Sequence, residues 1–85
     1  MEKYEFTECS DEEYVKYIEA ILHGDKKITS RVDKFKHLNR GVGVAFGYSN
    51  KEALKVIFPI IMSDLSDDKK LEILNLIFPP NKMYM

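Results

Sequence analysis

The chain has 85 residues, 45% of them hydrophobic and 32% charged, and a formal net charge of −1. That is the length of a single domain, too apolar for a disordered chain and too charged for a membrane protein. Thirteen basic residues against fourteen acidic ones argue against general nucleic-acid binding.

Residues 3–8 alternate, with Tyr4 and Phe6 on one side. The pattern suits a short strand or an arm pinned by two aromatics. Ser10-Asp11-Glu12-Glu13 then opens a helix, with Ser10 as the cap and Glu13 at the capping-box position. Tyr14, Val15, Ile18, Ile21 and Leu22 recur at helical spacing, and Gly24 can close the turn in a left-handed conformation. These signals predict a helix over 11–23. Asp25 caps a second one, whose stripe is Ile28, Val32, Phe35 and Leu38 and whose outer face is basic. It is expected over 26–39, ending at Asn39-Arg40-Gly41, and the short link predicts that the two helices run antiparallel.

Between 41 and 48 three glycines alternate with Val42, Val44, Phe46 and Tyr48. Alternation predicts a strand able to pair with 3–8 as a two-stranded ribbon, or an extended loop crossing the helices. The glycines lack the spacing and the Lys-Ser/Thr that phosphate-binding loops need. Ser49 and Glu52 repeat the capping-box spacing, and Ala53, Leu54, Ile57, Phe58 and Ile61 form the next stripe, a helix over 50–64. Pro59 removes a backbone donor there and should kink or divide it. Ser66 with Asp67 and Asp68 starts a last helix bearing Leu71, Leu74, Ile77 and Phe78, and Pro79-Pro80 ends it before a tail over 81–85. The expected fold is mainly α, a small four-helix bundle-like domain spanning 1–85, with room for a β ribbon of 3–8 and 42–48.

The chemistry points away from catalysis. Cys9 is the sole cysteine, so it forms no internal disulfide and anchors no zinc set. Cys9 could act as a nucleophile with His23 or His37 as base, but no signature surrounds it, and a half-buried bystander is the plainer reading. No nucleophile elbow, paired-histidine metal motif or calcium loop is present. Neither an enzyme nor a cofactor site is expected. The longest apolar run, 56–62, is far short of the roughly 20 residues that cross a bilayer. Met1-Glu2-Lys3-Tyr4-Glu5 is charged and carries no apolar leader, so a cytoplasmic location without membrane contact is expected.

Charge is unevenly spread. Residues 1–25 hold eight acids against two bases, net −6, and residues 26–40 hold six bases against one acid, net +5. The acidic group Glu8, Asp11, Glu12 and Glu19 reads either as a solvated helix face with capping acids or as a phosphate-mimicking surface for the basic cleft of a nuclease. The basic run (Lys26, Lys27, Arg31, Lys34, Arg40) could grip phosphates, but such faces are more often solvated or paired. Phe46 and Tyr48, on the glycine-rich stretch, are either binding anchors or core-closing aromatics.

Taken in order, these segments resemble the nuclease-colicin and pyocin immunity proteins. Ser-Asp-Glu-Glu-Tyr-Val at 10–15 opens an acidic first helix, Val32 and Phe35 sit on a second, and Val42 to Tyr48 precede a capped helix over Ser49 to Phe58. Size and acidity also resemble immunity proteins of contact-dependent inhibition systems. The resemblance implies a four-helix fold that docks beside the active site of a nuclease toxin, using an acidic second helix and a short third helix with paired tyrosines. Here the second helix is basic, the Asp-x-x-Tyr-Tyr-Pro signature is missing, and 59–85 add a helix. The implied partner is a basic nuclease toxin domain, contacted by Glu8, Asp11, Glu12, Glu19, Phe46 and Tyr48. The alternatives are a small helical adaptor or phage-borne host-modifying protein, with a homodimer as its assembly, and direct nucleic-acid binding.

Overall fold

The computed structural model describes residues 8–79. They form five helices and no strand: α1 (Asp11–Leu22), α2 (Lys26–Leu38), α3 (Arg40–Gly47), α4 (Lys51–Ile61) and α5 (Asp67–Ile77). Helices over 11–23, 26–39 and 50–64 were expected from apolar spacing and caps, and α1, α2 and α4 lie within those spans.

The caps explain most of the boundaries. Ser10 Oγ accepts from the Glu13 N–H at 3.2 Å, and the Glu13 carboxylate accepts in return from the Ser10 N–H at 3.4 Å. Asp25 accepts from the Lys27 N–H at 2.9 Å, and Ser66 accepts from the Lys69 N–H at 3.3 Å. Each pair satisfies an otherwise orphaned donor of a first turn. The cap of α4 is one residue later than the expected Ser49. Asn50 Oδ1 accepts from the Ala53 N–H at 3.1 Å, and Ser49 instead takes φ 51° as the residue that closes α3.

The ribbon is not formed by 42–48, because 40–47 are helical. Residues 3–7 of its other strand lie outside the described residues. The alternation of Val42, Val44, Phe46 and Tyr48 is accidental to the packing. The positions that α3 buries are Gly41, Val42 and Ala45, which follow a helical repeat, while Val44 and Tyr48 face outward. Asn39 sets the helix. Its Oδ1 accepts from the Val42 N–H at 3.1 Å, and its Nδ2 donates to Asn75 Oδ1 at 2.8 Å and to the Phe78 carbonyl at 3.4 Å. One buried amide thus caps α3 and pins the end of α5, and its own N–H closes α2 on the Phe35 carbonyl. Gly43 completes the arrangement: a Cβ there would sit 3.2 Å from the Lys36 carbonyl oxygen, so its absence lets α3 approach α2.

α4 is the hub. It buries Leu54, Ile57, Phe58, Ile60 and Ile61, and it packs against α1, α2, α3 and α5. A helix apolar on so much of its circumference belongs inside. One core cluster joins it to Ile28, Val32, Phe35, Val42, Ala45, Ile73 and Leu74. Pro59 does not divide α4, which continues to Ile61. The missing Pro59 N–H leaves the Lys55 carbonyl without its helical donor, and the Cys9 N–H donates to that oxygen at 2.9 Å. The proline therefore creates the point where the chain before α1 is fastened to the core.

Candidate functional site

The four acidic residues singled out in the sequence, Glu8, Asp11, Glu12 and Glu19, fall into two sets. Lys55, held on α4 with its side chain only 17% exposed, places Nζ 2.8 Å from Asp11 Oδ1 and 3.9 Å from Glu8 Oε1. Lys51 adds a second ammonium 3.4 Å from the same Asp11 oxygen. These hydrogen bonds, Lys55 first, hold the Asp11 carboxyl below the usual carboxylate range, and the Asp11 bond raises Lys55 in turn. Glu8 and Asp11 are thus neutralised inside the molecule and fix the start of α1. Glu12 and Glu19 are exposed and make no ion pair among the described residues.

Around those two carboxylates the surface of α1 is apolar. Val15 is 50% exposed and Leu22 78% exposed. At 100° per residue they occupy nearly the same row, with Glu19 and Glu12 beside it and Lys16 beyond. Asp11, Glu12, Val15, Lys16 and Glu19 line an open depression on this face. The adjoining, inward side of α1 carries Tyr14, Tyr17, Ile18 and Ile21, which pack on the core without being fully buried. The apolar stripe expected from sequence was therefore two rows. Tyr14-Ile18-Ile21 faces inward, and Val15 and Leu22 face solvent. The five apolar positions span about 120° of the helix surface, an ordinary amphipathic stripe, so their spacing alone did not show that Val15 and Leu22, at its edge, would be left uncovered.

Phe46 and Tyr48 part company. The Phe46 ring meets Phe58 edge-on at 5.6 Å, beside Tyr17 stacked on Phe58 at 4.8 Å and Tyr14 tilted at 6.2 Å. Phe46 is half-buried in a cluster that holds α1 and α3 to α4. Tyr48, at the end of α3, is 83% exposed. It lies three residues before Lys51, whose ammonium reaches Asp11 and the Tyr14 ring.

The remaining candidate groups are structural or scattered. Cys9 is buried, and burial followed by the Glu13 charge pushes its thiol up, which disfavours the thiolate. His23 follows the far end of α1, about 18 Å along its axis from the Cys9 end, and His37 is exposed on α2. Basic residues of α2 are engaged internally. Lys34 pairs with Asp67 at 2.6 Å, and an Arg31 amino group donates to the Ile61 carbonyl at 3.2 Å. The buried Lys70 donates to that same carbonyl at 3.0 Å, so two cations close the C-terminus of α4. Among the described residues no group of three potential metal ligands exists, and no helix is long and apolar enough to cross a membrane.

Comparison with protein-family models, with curated proteins and with solved structures finds no match for this chain.

Proposed function

We propose that the chain is a cytoplasmic binding domain without catalytic activity, an immunity-like protein that neutralises a basic protein toxin, a nuclease by class, through one-to-one docking on the outer face of α1. The observation that carries the reading is the exposed pair Val15 and Leu22 beside the unneutralised Glu12 and Glu19. Apolar area supplies affinity, and carboxylates with no internal partner supply steering and choice of a cationic surface. Tyr48 is a second anchor, at the end of a short third helix where the immunity-protein resemblance implies aromatic contacts. A competing reading is a self-associating adaptor. It is favoured by exposed Leu38, Leu76 and Ile77, which the Asn39–Asn75 hydrogen bond brings to one end of the molecule.

The test is co-expression with the product of the neighbouring gene. A one-to-one complex that silences a nuclease supports the proposal. In that complex, Glu12→Lys with Glu19→Lys should weaken binding and flatten its dependence on salt. A complex indifferent to the double reversal moves the interface off α1. A chain that sediments as a tight homodimer and captures nothing discards the toxin reading.

A further inference from the structure

α1 differs from the other described helices in having no fully buried side chain. It lies on α2 and α4 by one face and presents a second apolar row, Val15 and Leu22, to solvent. These residues are seven apart, two turns or about 10 Å along the axis. That span selects the kind of segment that can lie on it. In a strand, about 10 Å corresponds to three residues, and residues three apart point to opposite faces. In a helix the same span recurs at every seventh residue on one face. Glu12 and Glu19 repeat the seven-residue spacing on one flank of the row, with Lys16 beyond them around the helix.

We propose that the outer face of α1 is half of a two-helix seam, and that its other half is a basic amphipathic helix of the partner protein. The proposal deepens the docking reading above and rests on it. The occupant is chosen by charge. Asp11 is neutralised by Lys55 and Lys51, which leaves Glu12 and Glu19 as unmatched carboxylates, with Lys16 as the one cation on the face. A second copy of α1 would bring four carboxylates against two ammonium groups. A helix with Leu in its seam and Lys or Arg alongside matches both the apolar row and the flanking charge.

The probes are two helical peptides with Leu at the seam positions of three heptads, one flanked by Lys and the other by Glu, titrated calorimetrically into the 85-residue chain. The Lys peptide should bind one-to-one and shift amide resonances of 12–22, and the Glu peptide should not bind. Val15→Gln with Leu22→Gln keeps charge, does not lower helix propensity, and should weaken binding about tenfold. Glu12→Lys with Glu19→Lys should weaken the Lys peptide about tenfold and admit the Glu peptide. Circular dichroism confirms that the variants fold. Lys-peptide binding insensitive to Val15 and Leu22 would reduce the effect to general charge attraction and overturn the seam. Failure of both peptides would also overturn it. If the complex with the neighbouring gene product still loses affinity on charge reversal in that case, the docking reading stands and only the helical partner falls.

Discussion

Ser49 occupies after α3 the position that Gly24 occupies after α1. Both have positive φ, 51° and 77°. Both close their helix with the same pair of bonds. Gly24 and Asp25 donate to Ile21 and Ala20, and Ser49 and Asn50 donate to Phe46 and Ala45. This double closure is the Schellman arrangement, in which glycine carries no Cβ penalty. A left-handed non-glycine residue costs roughly 1–2 kcal/mol, part of which glycine returns through its freer unfolded chain. Ser49→Gly should therefore stabilise the domain by about 0.5–1 kcal/mol, read as a thermal midpoint higher by roughly 2–6 °C. A lowered midpoint would mean that the Ser49 side chain contributes something its geometry does not reveal. In the sequence, Ser49 and Glu52 satisfied a capping-box spacing one residue out of register. Asn50 is an equally good cap, and only the closure of α3 decides between them.

At the scale of elements, Pro59 links the inside of α4 to the start of α1. By removing one donor it frees the Lys55 carbonyl, which receives Cys9. The same residue's ammonium holds Glu8 and Asp11. Lys55 thus anchors the start of α1 with both its backbone and its side chain. Pro59→Ala restores a competing N–H within α4. Amide exchange should then accelerate at Cys9 by about fivefold, the equivalent of one net hydrogen bond, while α4 keeps its protection. Unchanged exchange at Cys9 would show that the proline has no part in fastening this segment. The proline was legible as a fault in the helix. Its use was not, because the segment that exploits it lies fifty residues away in sequence.

For the whole molecule, the long-range ion pairs set a dependence on acid. Asp11 and Asp67 are held below the ordinary carboxylate value, chiefly by hydrogen bonds from Lys55 and Lys34. The folded state therefore binds fewer protons than the unfolded chain near these pKa values. Their contribution is full above the unfolded value of about 3.9 and is lost as pH falls through the lower folded values. Urea unfolding between about pH 2 and pH 6 should show stability falling on the acid side. Asp11→Asn with Asp67→Asn should make that fall shallower. Both carboxylates are exposed, so high salt should shrink the difference. An unaltered acid limb in the double variant would assign the loss to other groups. Lys70 works in the opposite sense: burial and then Arg31 push its pKa down, so the fold recovers stability as this lysine deprotonates at alkaline pH.

Sequence alone determined the helical class, the spans that contain α1, α2 and α4, the start of α5 at Ser66, and three of the caps. Those features depend on periodicity and on donors a few residues apart, both of which are local. It also supplied the acidic group, but not its division. Glu8 and Asp11 are neutralised by Lys55, some forty-five residues later, and Glu12 and Glu19 are not. Tertiary structure decided for a helix over 40–47, where Gly43 lets it close on α2, against an alternating pattern that suits a strand; its Asn39 cap is local and was passed over in the sequence. It also turned Val15 and Leu22 outward and Phe46 toward Phe58. The common reason is that a row of apolar side chains fixes a helix's period but not which of its faces the rest of the chain will cover.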